Sequence, residues 1–394
     1  MIELFVGLSA LIWLAVLLCS AYLWFIALAS VPQIRRPESA ASFCRFAIAI
    51  PAHNEESVIA DTVTRLQQQD YPRNLFEIFV VADNCSDRTA EIARSQGALC
   101  YERKTDQRGG KGAALSWLFE RIFHNGTYEA IVVFDADTQA QENFLKIMND
   151  RLQGGAQVIQ GRHVIINPHA GWFPALSWAM MTIDCRLYSQ GRANLGFSAR
   201  HIGDSICFQS NVLQKLGWGE GLTEDYELRL KLLLDGICIT YEPGALGFGQ
   251  APVSWEEAQA QRIRWARGVI ETSRIYKRRL LAEGIKRKDW RLIDGGLSVM
   301  LPSYSTLTLI TALMLALSLI FLQSSASWLT LGWSGLLVLL FLYPWFGLAL
   351  EKAPGWAYRA LLIGPIFMVW RGWINLMARL RAKKIVWVRT PHRS

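Results

Sequence analysis

AIVVFDADTQ, residues 130–139, is an apolar, strand-like run through Ile131, Val132, Val133 and Phe134 that ends in two carboxylates one residue apart, Asp135 and Asp137. In an extended chain residues i and i+2 point to the same side, so these two like charges repel unless something relieves them. A solvated turn after a buried strand accounts for most D-x-D pairs. The alternative is a divalent cation, for which hard carboxylate oxygens suit Mg2+ or Mn2+. The neighbouring sequence has to decide.

Upstream, FAIAI (46–50) reads as a buried strand followed by PAHNEE, and Val58, Ile59, Val63 and Leu66 then recur at helical spacing. FEIFVVADNCSD is a second strand ending at Asp83, RTAEIARSQG a helix stopped by Gly97, and GALCYER a third strand. GGKGAALSWLFERI is a glycine turn entering a helix. Strands alternating with helices predict a parallel sheet that binds ligands at the strands' carboxyl ends. Asp83 and the Asp135/Asp137 pair stand at such ends.

Lys111 lies in RGGKGAAL, where glycines let backbone approach a phosphate and lysine adds charge; an exposed lysine at a helix start reads equally well. The spacing of a P-loop is absent. In GLTEDYELRLKLLLDGICITY a helix starts near Thr223, and Thr223, Glu224 and Asp225 suit its N-terminus. A carboxylate there could also act as a general base. Residues 258–280 form a basic amphipathic helix containing Gln261, Arg264 and Trp265 as Q-x-x-R-W. A membrane-surface helix with Trp at headgroup level explains its later part, not that combination.

The 394 residues are 52% hydrophobic with 16 tryptophans, yet 19% charged, as expected of a polar module carried on membrane segments. Net charge is +8, with no Lys or Arg before Arg35 and a basic run from Arg379 to Arg393. Basic flanks beside apolar segments favour the cytoplasmic side and anionic lipid; no nucleic-acid recognition motif accompanies them. Seven cysteines without a C-x-x-C pair fit a reducing compartment. Residues 4–31 are uncharged and long enough to span, with Arg35 and Arg36 following on the inside. Further spans are expected over roughly 296–322 and 328–350, joined by the uncharged QSSAS loop. Residues 356–378 carry Arg359, Arg371, Asn375 and Pro365 and read as an interfacial or re-entrant helix, keeping the basic tail inside.

PAHNEE, Asp83 in VVADNCSD, GGKG, DAD, TED and QRIRW, in this order between 46 and 268, resemble membrane-bound family 2 glycosyltransferases, the group of cellulose, hyaluronan, chitin-oligosaccharide and poly-N-acetylglucosamine synthases. The resemblance implies an α/β, Rossmann-like GT-A fold with a mainly parallel sheet. It divides the chain into an N-terminal anchor (1–34), a cytoplasmic GT-A domain (45–254), interfacial amphipathic helices (255–295), two transmembrane helices (296–350), and an interfacial or re-entrant helix with a basic tail (351–394). It implies inverting transfer from a UDP-sugar, UDP-glucose or UDP-N-acetylglucosamine, to a growing exopolysaccharide; single transfer to a lipid-linked acceptor and a non-catalytic nucleotide-sugar-binding assembly subunit are the alternatives. Asp83 would read uracil with Asn54 and Glu55 nearby, and Lys111 and Arg264 would hold the diphosphate. Asp137 would coordinate Mg2+ or Mn2+, with Asp135 on metal or ribose. Asp225 would be the base, Trp265 the acceptor platform, and Gln261 and Glu224 its neighbours. Membrane lipids and export or assembly subunits are the further partners, in a multi-pass protein of the cell inner (plasma) membrane. Residues 203–211, GDSICFQSN, depart from the glycine-rich acceptor segment of many relatives. The tail VWVRTPHRS is similar to their Trp-and-Thr gating segment.

Overall fold

The computed structural model describes residues 2–34, 39–106, 109–219, 221–321 and 327–380. Arg35 and Arg36, most of the QSSAS loop and the VWVRTPHRS tail lie outside the described residues.

Alternating side chains of the first strands set up two apolar layers. In β1 (Phe46–Ala52), Phe46, Ile48 and Ile50 point to one face and Ala47 and Ala49 to the other, as strand geometry requires. β2 (Phe76–Asp83) and β4 (Ala130–Val133) divide likewise, while β3 (Leu99–Arg103) forms an edge. The first face is covered by α2 (Ile59–Gln67), α3 (Thr89–Ser95) and α5 (Phe144–Gln153). The second is covered by α4 (Gly110–Asn125), α8 (Ser210–Leu216) and α9 (Glu224–Leu234).

With β5 (Gln139–Ala140), β6 (Val158–Ile165), β7 (Ile206–Gln209) and β8 (Ile239–Gly249), the sheet order is β3-β2-β1-β4-β7-β6-β8-β5. β3, β2, β1 and β4 are parallel, but β7 runs antiparallel to both β4 and β6, and β5 antiparallel to β8. The sheet is therefore mixed. Its parallel half brings Asp83 and, just beyond β4, Asp135 to the same end.

α6 (Trp172–Ile183) continues through a π-helical stretch, Asp184–Gln190, into α7 (Gly191–Asn194). α10 (Trp255–Arg287) is the long basic helix. It is followed by α11 (Trp290–Met300), α12 (Tyr304–Phe321), α13 (Ser327–Leu350), α14 (Gly355–Ala360) and α15 (Gly364–Leu380). The span expected from residue 296 instead starts at Tyr304. Leu301 is extended ahead of Pro302, as a residue preceding proline prefers, and α11 is a separate helix. Its Asp294 is buried and accepts from Tyr22 of α1 (Ile2–Ala29) and, at 3.1 Å, from Arg192 Nε of α7. The α1, α12 and α13 helices share a core around Val16, Leu307 and Trp333, and Trp333 Nε1 donates to Ser9 Oγ at 3.1 Å. Among the described residues four helical segments are long and apolar enough to cross a membrane: Glu3–Ala29, Tyr304–Phe321, Trp328–Leu350 and Gly355–Leu380. The last is the segment expected to be interfacial; its helical run is long enough for a span.

Candidate functional site

The carboxyl end of the parallel strands is framed by two interlocked turns. Asn54 (φ 56°) after β1 and Asn84 (φ 50°) after β2 both take the left-handed conformation that asparagine tolerates. Asn54 Oδ1 accepts the Ser86 N–H at 2.8 Å, and Asn84 exchanges bonds with the Thr105 backbone at 2.9 and 3.2 Å. Glu55 is buried, and its N–H donates to Thr89 Oγ1 at 2.8 Å. Asp83 is buried too, with Arg103 Nη1 2.6 Å from its carboxylate and His53 Nδ1 2.7 Å from its carbonyl oxygen. The carboxylate expected to read a base thus already carries an arginine.

At the centre stands Lys111, on the first turn of α4. Its ammonium contacts the Asp135 carboxylate and donates to the Gly203 carbonyl at 2.5 Å. Burial opposes the Lys111 charge, but Asp135 outweighs it and holds the ammonium above its ordinary pKa. The Asp135 backbone N–H donates to Asp204 Oδ1 at 3.1 Å. Asp204 Oδ2 is 2.8 Å from His163 Nδ1 and accepts from Ser205 Oγ at 3.0 Å. Burial alone would disfavour both charges; their pairing raises the His163 pKa and lowers that of Asp204. Asp135 and Asp137 both act on His163 electrostatically, so this buried pair is the support on which the D-x-D turn rests. Sequence reasoning missed it, although Asp204 lay inside the segment noted as a departure.

Gly203, at φ +80°, joins the two halves of the site. A Cβ there would be 3.4 Å from Asp225 Oδ2 and 3.6 Å from Lys111 Nζ. His201 fixes the loop: its Nδ1 accepts the Gly203 N–H at 2.9 Å, and burial, Lys111 and Arg229 depress its pKa to about 3, so it stays neutral. The glycines of GGKG have a second use. A Cβ on Gly112 would stand 2.5 Å from the Gly219 carbonyl oxygen and 3.4 Å from Glu224 Cβ, so this glycine lets α4 meet the start of α9. There Asp225 accepts the Tyr226 N–H at 2.7 Å. Burial and then Asp225 push Glu224 up to about 7, against Lys111 and Arg264; burial likewise raises Asp225.

α10 closes over this helix start. A Cβ on Gly268 would be 2.6 Å from Thr223 Cγ2, and Arg264 Nη1 points to the Leu222 carbonyl at 3.4 Å. Trp265 is 42% exposed beside it, and Gln261 is partly buried. The fold therefore gathers Asp135, Lys111, Glu224, Asp225 and Arg264, with Asp137 two residues beyond Asp135. Asp83, Asn54 and Glu55 form a neighbouring cluster at the β1 and β2 ends.

Among the described residues no group of three or more His, Cys, Asp or Glu is arranged to hold a metal ion. Two carboxylates at a strand end, with 42% of the Asp135 side chain accessible, fit Mg2+ or Mn2+, which commonly takes one or two carboxylates and completes its shell with phosphate and water. Lys111 already pairs with Asp135 there.

Residues 44–268 match the family described as "Glycosyltransferase like family 2". Over 278 residues, 67% of this chain and 63% of the relative, the sequence is 30% identical to a probable glycosyltransferase, YdaM, of Bacillus subtilis. It is 29% identical to the beta-monoglucosyldiacylglycerol synthase of Trichormus variabilis over 66% of this chain and 57% of that one. The chain thus spans about 60% of the length of these curated relatives. Among solved structures, the fold is similar to a mannosyltransferase of Pyrobaculum calidifontis in complex with GDP-Man and Mn2+, with a TM-score of 0.58 and 17% identity over 95% of this chain and 99% of that one. The GT-A fold is common to both.

Proposed function

We propose, from the premise that this chain belongs to glycosyltransferase family 2, that it is an inverting transferase moving a sugar from UDP-glucose or UDP-N-acetylglucosamine to an acceptor at the membrane surface. The observation that carries this reading is the meeting at Gly203 of Asp225 from one side and Lys111, bound to Asp135, from the other. Inversion needs a base and a leaving group on opposite faces of the sugar ring. The Asp225 carboxylate takes the acceptor hydroxyl proton as its oxygen bonds to the anomeric carbon. The anomeric carbon–oxygen bond to the diphosphate breaks, and UDP leaves with that electron pair. Lys111 and Arg264 stabilise the charge on the leaving diphosphate. Mg2+ or Mn2+ held by Asp137 and Asp135 would supply Lewis-acid neutralisation of the same oxygens. Trp265 offers the acceptor ring an apolar face, with Gln261 and Glu224 beside it, while Asp83, Asn54 and Glu55 frame the nucleotide.

The acceptor in the first reading is a growing exopolysaccharide, because Q-x-x-R-W accompanies chain elongation in the families this sequence resembles. The second reading is single transfer to a lipid, favoured by the likeness to a beta-monoglucosyldiacylglycerol synthase. In both, the domain faces the cytoplasm on a multi-pass inner-membrane protein. A screen of UDP-sugars for released UDP, with and without Mg2+ or Mn2+, tests the transfer; release from no donor under any metal condition overturns it. Sizing the product made from radiolabelled donor separates the acceptors, since one labelled lipid-sized product excludes elongation.

A further inference from the structure

Between α6, α10 and α15 two arginines stand among aromatic rings. Arg262 lies inside Q-x-x-R-W, between Gln261 and Arg264, but its guanidinium faces α6 and α15 and has no part in the site above. It sits 5.3 Å from the Phe367 ring centroid, 5.6 Å from that of Phe173 and 6.0 Å from that of Trp370. Arg371 follows Trp370 on α15, and each arginine is partly buried. Among the described residues no carboxylate forms an ion pair with Arg262 or Arg371. Asp184, whose charge does reach Arg371, is already bound to Arg200 at 2.9 Å. Burial and then the repulsion of Arg371 bring the Arg262 pKa down to about 10.

Aromatic faces relieve a buried cation only in part, and two neighbouring cations that lack an anion cost stability. Such a pair between helices is suited to an oxyanion, and guanidinium groups match phosphate with paired N–H donors. The surroundings say what carries that anion. The outward side of α15 exposes Ile366, Val369, Trp373 and Leu376, an apolar stripe beside the charged one. A phosphate attached to acyl chains satisfies both.

We propose that Arg262 and Arg371 bind the phosphate of an anionic phospholipid headgroup whose acyl chains lie along the outer face of α15. The lipid clamps α10 to α15 next to Trp265. It is neither donor nor acceptor, so the site stands whichever acceptor the transferase uses.

The test uses the full chain in neutral detergent with added phosphatidylglycerol, phosphatidylcholine or inorganic phosphate, read by thermal unfolding and native mass spectrometry. Phosphatidylglycerol should raise the unfolding temperature of the wild type by several degrees and stay bound in the mass spectrum. Phosphatidylcholine and inorganic phosphate should do neither, which separates a lipid phosphate from a free one. Arg262→Gln and Arg371→Gln each remove one of two repelling charges, so without lipid they should unfold at or above the wild-type temperature, and the phosphatidylglycerol shift should be lost. Variants that unfold at lower temperature without lipid, or that keep the shift, overturn the proposal, as does an equal response to phosphatidylcholine or phosphate. UDP binding on the same samples reports separately on the donor site; its failure counts against the proposed transfer and leaves this lipid test intact.

Discussion

The adjacent carboxylates at the start of α9 give the sharpest test of the catalytic reading. Glu224 is pushed from 4.5 to about 7, first by burial and then by Asp225. Lifting the carboxyl that far disfavours its ionised form by roughly 3 kcal/mol. The repulsion from Asp225 is a smaller cause than burial and is opposed by Lys111 and Arg264. Repulsion is mutual, and such a pair takes up protons jointly. Replacing Glu224 by Gln leaves Asp225 facing Lys111 and Arg264 without a like charge. The acidic limb of kcat/KM for UDP release should then move to lower pH. The position of the limb is independent of any loss in maximal rate through acceptor contacts. Stability supplies a second readout with a definite sign. A carboxylate whose pKa is raised by folding destabilises the folded state as pH rises from its unfolded value to its folded one. The advantage in unfolding temperature of Glu224→Gln over wild type should therefore be larger at pH 8 than at pH 5. A limb that stays in place or moves up in the variant refutes the assignment of Asp225 as the base.

Four further outcomes follow from the geometry. Asp137→Asn should raise the Mn2+ concentration needed for half-maximal UDP release at least tenfold, about 1.4 kcal/mol, while thermal unfolding without metal stays near that of the wild type. Gly203→Ala places a methyl group in ordinary contact with Asp225 and Lys111, but at φ +80°; it should cost roughly 1–2 kcal/mol in denaturant unfolding and lower kcat. Trp265→Ala should raise the acceptor KM and leave slow donor hydrolysis unchanged, as removal of an acceptor platform requires. Asp294→Asn leaves the buried Arg192 without its charge partner and should destabilise the protein by about 3–5 kcal/mol, with UDP affinity preserved in the fraction that remains folded.

Much of this architecture could be read from local pattern. The runs at 46–50 and 76–83 and the apolar spacing of 58–66 are short-range signals, and their elements form close to where periodicity places them. The residue types gathered around Lys111 were legible too, because six short motifs in order carry a family likeness. The partners were not. That Asp83 holds Arg103, that Lys111 spans Asp135 and Gly203, and that His163 and Asp204 support the D-x-D turn all depend on strands distant in sequence meeting in one sheet. β7 was hidden because ICFQ, residues 206–209, is too short to show alternation and lies in a segment read only as a departure. The early start assigned to the second span has a similar cause. Hydropathy runs smoothly through Pro302, whereas the break there follows from backbone sterics, and Asp294 is buried only because Arg192 and Tyr22 meet it.

That meeting of α1, α7 and α11 bears on the order in which the protein can be made. Tyr22 leaves the ribosome before Arg192, and Asp294 follows only after the whole glycosyltransferase domain. Until then Arg192 lacks the Asp294 carboxylate that pairs with it, so the docking of the domain on the first helix is provisional. Completion of α11 locks both at once, and a nascent chain halted before residue 294 should remain open to proteases between anchor and domain.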